Sequence, residues 1–271
     1  MTVSMLFDPT MARTAVFLGV FAVMALWEVA LPARALRERK PLRWLTNLGI
    51  LVIDVAILRL VLPGAAIAAA LYAEQHDIGL LAYVGLTGLA AGLVGFLILD
   101  LALFWQHVLS HRIPILWRVH AMHHADRDLD VTSGLRFHPI EVVLSMLFKM
   151  AVIVTIGVPA WAVFVFEIVL NAAAQFNHSN VAIPARIEPW LRLLIVTPDM
   201  HRTHHSIDQR ETDTNFGFFL SVWDRLFGVY TAEPAAGRAG LVLGLSEHQH
   251  HGPSQILWSL LMPFRKAAGR D

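Results

Sequence analysis

The stretch Asp100-Leu101-Ala102-Leu103-Phe104-Trp105-Gln106-His107-Val108-Leu109-Ser110-His111 carries an apolar helix straight into a pair of histidines. Residues four apart on a helix share a face, with Cβ atoms roughly 6 Å apart, so His107 and His111 aim at one point. Pro114 stops that helix, and Trp117-Arg118-Val119-His120-Ala121-Met122-His123-His124 follows with an H-x2-H-H box. The same box returns at His201, His204 and His205. There Thr197 is placed to cap a helix, Pro198 suits its first position and Asp199 its first turn. One such box says little. Three, each beside a long apolar segment, predict a polyhistidine metal centre at a membrane surface.

The composition points to the same environment. Hydrophobic residues are 56% of the 271 and charged residues only 15%, against about 25% charged in soluble domains. The 21 basic and 21 acidic residues cancel, which leaves no surplus charge to draw nucleic acid. The chain has no cysteine, so disulfides, thiolate catalysis and iron–sulfur ligation are excluded. Any metal must bind through nitrogen or oxygen.

Apolar runs at Thr14–Leu31, Leu45–Leu62, Ile78–Gln106 and Val142–Phe176 approach or exceed the roughly 20 residues that a crossing needs. Pro63-Gly64 closes the second, and an apolar half-segment, Ala65–Tyr72, comes next. The third is rich in glycine, as close helix contacts in lipid require. The fourth is too long for one crossing and is broken by Gly157-Val158-Pro159, which predicts a hairpin that enters and leaves on one side. The first run reads as a retained span rather than a cleaved leader, because Asp8 and a single Arg13 precede it. Arg34, Arg37, Arg39, Lys40 and Arg43 crowd the next connection, which the positive-inside bias places in the cytoplasm. Only the hairpin then returns His178 and the third box to the side of the other two. Asp54 and Arg59, costly in lipid, either turn inward and toward each other, or Arg59 snorkels outward from an interfacial or tilted helix.

The expected fold is therefore an all-α integral membrane bundle of about four spanning units, the last a hairpin. A cytosolic histidine-rich cap would hold a dimetal centre. Residues 1–99 would form the N-terminal transmembrane helices, 100–231 the catalytic domain, and 232–271 a tail whose Pro253–Phe264 segment lies on the membrane surface. In a bacterium the location is the inner membrane.

Eight imidazoles exceed one ion's needs, since a zinc site normally takes four ligands, so two ions fit better. Imidazole suits zinc, copper, iron and nickel alike. Iron is favoured, with zinc possible in purified protein, because no H-E-x-x-H occurs and Val108 stands where a zinc protease carries its base. A di-iron pair activates O2 and attacks unactivated C–H bonds, and its place at the lipid boundary points to lipid substrates. His178 should reach the same surface as a further ligand, and His138 is placed either as a ligand or as a support behind one. Asp100, on the stripe of His107, could accept its ring N–H, and Asp208 and Asn177 are further supports behind the ligands. His248, His250 and His251 read as solvated. Two other readings stay open. A metal-ion transporter would use Asp54, Arg59, Lys149 and Glu167, and a zinc hydrolase would draw a base from Asp126, Asp199 or Asp208.

From Asp100 to about Tyr230 the chain resembles the fatty acid hydroxylase superfamily, which includes sterol desaturases and sphingolipid hydroxylases. The resemblance rests on Phe104-Trp105-Gln106-His107 through His111, on Leu116-Trp117-Arg118-Val119-His120 through His124, and on Arg136-Phe137-His138-Pro139-Ile140-Glu141. It continues through Phe176-Asn177-His178-Ser179, His201-Arg202-Thr203-His204-His205-Ser206, Asn215-Phe216-Gly217 and Trp223-Asp224-Arg225-Leu226-Phe227-Gly228. It implies transmembrane helices under a cytosolic cap, and oxidoreductases that hydroxylate or desaturate lipids with O2 and external electrons. By motif position the ligands would be His107, His111, His120, His123, His124, His201, His204 and His205, with His178 and His138. Ala125 departs from the serine that often follows the second box. The cytochrome b5 domain fused to certain relatives is missing, which implies a separate electron-donor protein.

Overall fold

A computed structural model of the chain describes residues 9–265, so Asp8 and the last six residues of the expected tail lie outside it. Among the described residues no strand forms beyond isolated bridges, and the fold is all-α. The principal helices are α1 (Pro9–Ala30), α2 (Lys40–Val61), α3 (Ala65–Gln75), α4 (Gly88–Arg112), α5 (Pro114–His124), α6 (Pro139–Ile156) and α7 (Ala160–His178). Two shorter ones follow, α8 (Pro198–His204) and α9 (Ile256–Leu261). Five stretches are long and apolar enough to cross a bilayer: Thr10–Ala30, Lys40–Tyr83, Gly88–Arg112, Pro139–Ile156 and Ala160–His178.

The expected hairpin resolves into α6 and α7, of 18 and 19 residues. Each is about 27 Å long at 1.5 Å per residue. The chain reverses at Gly157, whose φ of 75° lies in the left-handed region that glycine tolerates. The half-segment after Pro63-Gly64 becomes α3, which buries the alanines Ala66, Ala69 and Ala70 against Leu99, Ile153, Ala162 and Phe166. Between lipid-embedded helices there is little hydrophobic drive, so close van der Waals packing must hold them together. Small side chains permit it: a methyl group on Gly92 would sit 2.0 Å from the Trp161 ring. Leu26 and Leu60 point outward, 71% and 83% exposed, as suits a surface bathed in hydrocarbon.

The ionisable groups in the bundle divide between the two readings. Asp54 is buried, but Arg59 is exposed and makes no pair with it. Five helical residues turn through about 500°, so the two side chains point about 140° apart. Lys149 and Glu167 do meet, at 2.8 Å, and Arg13 joins Glu167 from α1 at 2.8 Å.

At the other end the basic connection is bolted to the loop after the second box. Arg43, 1% exposed, donates from Nε and Nη2 to the two Asp126 carboxylate oxygens at 2.9 Å, and from Nη1 to Asp130 at 2.6 Å. The backbone N–H groups of Arg37 and Glu38 donate to Asp128. A buried guanidinium needs such a complete set of acceptors, and losing one partner typically costs 3–5 kcal/mol. The basic connection and the histidine boxes thus share one end of the bundle. In the tail, α9 is only six residues long; with the 3-10 turn after it, it buries Trp258 and Met262 with Ile50, Trp117 and Met122, leaving Leu257, Leu261 and Phe264 exposed.

Candidate metal centre

Four elements deliver histidines to one place. The last turns of α4 carry His107 and His111, α5 carries His120, His123 and His124, α7 ends at His178, and α8 carries His201 and His204 with His205 just after. Thr197 caps α8 by accepting the Met200 N–H, as its sequence implied. All nine rings are at least 97% buried. They fall into two groups: His107, His111, His120, His124 and His204, and His123, His178, His201 and His205. Within each group the ligand atoms all lie within 4.8 Å of one another. The groups adjoin, since His124 of one stacks on His205 of the other with centroids 4.3 Å apart.

Helix geometry explains the H-x2-H-H spacing. At about 100° per residue, positions i and i+4 diverge by about 40°, while i+3 lies about 60° to the other side. Accordingly His120 and His124 enter one group with Nε2 atoms 3.2 Å apart, while His123 enters the other. The third box mirrors this: His201 and His205 pair at 3.2 Å and His204 crosses over. Each H-x2-H-H box therefore serves both groups, while His107 and His111 both serve the first.

The hydrogen bonds behind the rings settle their tautomers. Nδ1 of His107 donates to Phe216 O (2.8 Å), of His204 to Thr214 O (2.7 Å), of His123 to Arg136 O (3.0 Å) and of His178 to Ala174 O (2.7 Å). Nδ1 of His120 faces the Glu141 carboxylate at 2.6 Å, and Asp213 Oδ1 lies 3.4 Å from His111 Nδ1. A carbonyl oxygen only accepts, so those four Nδ1 atoms carry the proton and each Nε2 keeps a bare lone pair. Yet His107 Nε2 lies 3.1 Å from His204 Nε2, and His123 Nε2 lies 3.0 Å from His178 Nε2. Two lone pairs at that distance repel unless a cation sits between them. Two nitrogens at right angles on an ion, each about 2.1 Å from it, would be separated by about 3.0 Å. The donor set fits a pair of imidazole-loving ions.

Burial, and then the neighbouring rings, hold His123, His124, His201 and His205 well below the usual imidazole range, while burial brings His204 down to about 3. The rings stay neutral, as metal ligation requires.

The remaining site residues are placed differently from expectation. His138 belongs to neither group: it caps α6, its Nδ1 accepting the Ile140 N–H while Nε2 faces Leu260 O. Pro139 opens a helix there and makes His138 its cap. Asp100 does not touch His107. It accepts from Trp223 Nε1 at 2.8 Å and Leu220 N at 3.2 Å, because the 213–224 segment folds between them. Asp100 thus fastens the loop whose Phe216 carbonyl orients His107. Asp208 turns outward to Arg210 and caps a short helix. Asn177 donates to Phe218 O, a contact to the same loop.

Glu141 and Asp213 escaped the sequence reading as supports. A carboxylate in the first turn of a membrane helix was the available signal for Glu141. The Asn215-Phe216-Gly217 and Trp223-Asp224 motifs also gain a physical reason. Asn215 adopts a left-handed φ of 55° and clamps Thr231, while Asp224 accepts the N–H groups of Phe216 and Gly217. Of the carboxylates considered as a hydrolytic base, none is free. Burial pushes Asp126 upward, but the Arg43 charge outweighs it and holds it at about 2, while Asp199 and Asp208 pair with Arg202 and Arg210.

Comparison with known proteins agrees with this architecture. The fatty acid hydroxylase profile matches residues 92–229, and the chain belongs to that family. It is 30% identical over 139 residues to alkylglycerol monooxygenase of Homo sapiens, a match covering 51% of this chain and 30% of that enzyme. It is 33% identical over 141 residues to ornithine lipid hydroxylase OlsE of Rhizobium tropici, covering 52% of this chain and 42% of that one. A very-long-chain aldehyde decarbonylase of Oryza sativa subsp. indica is 26% identical over 133 residues, 20% of its length. The match spans less than half of each of these curated relatives. No solved structure matches the chain.

Proposed function

We propose that the chain is a membrane-bound, O2-dependent lipid oxidoreductase whose nine clustered histidines hold two iron ions. The observation that carries this reading is the pair of Nε2–Nε2 contacts, 3.0 and 3.1 Å, between rings whose protons are committed elsewhere. Bound there, two irons would supply the redox chemistry that activates O2 toward an unactivated C–H bond. Residues 100–231 form the catalytic unit, and the preceding helices supply the membrane scaffold. The names of its relatives, hydroxylase and monooxygenase of lipids, support a lipid substrate. Its acyl part enters from the bilayer between the helices and comes to rest below the rings. Hydroxylation and desaturation are both outcomes of such a site.

The chain's own residues hold this chemistry in place. Backbone carbonyls and Glu141 fix the rings from behind, and Phe216, Phe218 and Trp117 wall them against water, with centroids 5.0–5.5 Å from His107 or His111. Electrons come from a separate donor protein. The basic connection beside the boxes favours a cytoplasmic catalytic face. The three arginine-bound carboxylates weigh against a zinc hydrolase, and the Lys149–Glu167–Arg13 pairing leaves little for an ion path.

Metal analysis of anaerobically purified protein, combined with an O2-dependent product search in lipid extracts, tests the reading. The expected result is about two irons per chain and a lipid bearing a new hydroxyl or double bond. Zinc alone, with hydrolytic products and no oxygen uptake, would overturn it.

A further inference from the structure

Beside the third box, on the face away from the rings, lies a cavity of about 180 Å³. Arg34, Arg202 and Arg238 line it, with Asp199 as the single acidic lining residue. Arg202 is 6% exposed. It pairs with Asp199 through Nη1 and donates to Ser179 O from Nη2 at 3.2 Å, but its buried Nε has no acceptor. Arg34 donates from Nη2 to Leu241 O at 2.9 Å, while its Nη1 is buried with no acceptor. Arg238 reaches in from the rim, its half-exposed side chain shared among Asp199, Glu233 and, at 3.8 Å, Glu188. Two N–H groups of the guanidiniums that line the cavity thus lack an acceptor, and an unsatisfied buried donor is expensive. Burial lowers both guanidiniums from their usual range, with the charge of Arg37 pressing on Arg34 and those of Arg34 and Arg238 pressing on Arg202.

The position of the cavity identifies the ligand's source. Arg34 lies four residues beyond the end of α1, and the lining residues Ala182 and Ile183 lie just beyond the end of α7. Both helices are long and apolar enough to span, so their common end marks the headgroup level of the bilayer. Guanidinium forks match phosphate oxygens in pairs, and basic pockets at that level collect anionic headgroups. We propose that the Arg34–Arg202–Arg238 cavity binds the phosphate of an anionic lipid at the membrane surface. This site stands apart from the metal reading and survives its failure.

Native mass spectrometry of the full chain, offered phosphatidic acid and phosphatidylcholine in equal amounts, tests the proposal. The wild type should retain phosphatidic acid preferentially. Arg34→Gln should cut that retention about fivefold to tenfold, since each basic contact at a membrane surface is worth about 1 kcal/mol or more. Arg34→Lys should restore part of it, and Arg238→Gln should show a smaller loss. If Arg34→Gln fails to fold, the rim variant Arg238→Gln carries the test. Equal retention of the two lipids by the wild type, or undiminished retention in both glutamine variants, would overturn the proposal. A separate arm adds excess inorganic phosphate. If it displaces the lipid and alone raises the melting temperature as much, the site serves a free anion and the lipid assignment falls.

Discussion

Two dense sets of histidines can be compared within this chain. The nine rings of the centre are buried, and six have an oxygen behind Nδ1. His248, His250 and His251 are just as crowded in sequence, yet they sit on a 3-10 turn and the bends after it, and their ring nitrogens do not converge as a ligand set. His248 and His250 lie edge-on to Trp258, and His251 bonds Glu38 with 81% of its side chain exposed. Crowding of imidazoles is therefore not what makes a site. A rigid helix register and an acceptor behind most of the rings do so, because together they fix both direction and tautomer.

Substitutions can break that contrast at its strongest point first. His204→Ala removes a ring from the five-histidine group and should abolish metal retention there on gel filtration, with the helical circular dichroism intact. Unchanged metal content would remove His204 from the site. Glu141→Ala leaves every ring in place but frees His120 to rotate. Loss of such a support typically weakens metal affinity about 10–100-fold, and Glu141→Gln, which still offers an oxygen, should recover much of it. Chelator competition would measure both, and identical affinity in all three proteins would reduce Glu141 to a packing residue.

A separate effect, on stability rather than affinity, follows from pH. In the metal-free protein, the folded rings of His123, His124, His201, His204 and His205 resist protonation, whereas the unfolded chain takes protons below about 6.5. Stability is thus complete above that pH. It should decline as the pH falls toward 3, by up to about 1.4 kcal/mol per unit for each ring. Melting temperatures of chelator-treated protein at about pH 7.5 and pH 5.5 would show it, and equal values would mean that the rings already meet water. At the far end of the scale, His250→Ala should leave metal content unaltered. A measurable loss would draw the tail into the centre after all.

The boxes were legible in the sequence because their spacing is a direct statement about a helix face, and the hairpin was legible because Gly157 and Pro159 interrupt a run too long to cross once. What escaped depends on segments that return from far along the chain. Asp100 shares a stripe with His107, but stripe geometry knows nothing of the 213–224 loop that takes its carboxylate. Arg43 counted as one of several solvated topology signals, yet it is the buried bolt between α2 and the loop after the second box. Supply of a carbonyl from Arg136, Thr214 or Phe216 leaves no mark on residue type, so those supports were unreadable in principle.

The alternation of each H-x2-H-H box between the two groups reaches beyond geometry. A helix that donates to both pockets cannot slide, tilt or fray to suit one without spoiling the other. Filling the first pocket immobilises the scaffold of the second, so loading should proceed as a single all-or-nothing event and half-charged molecules should be scarce.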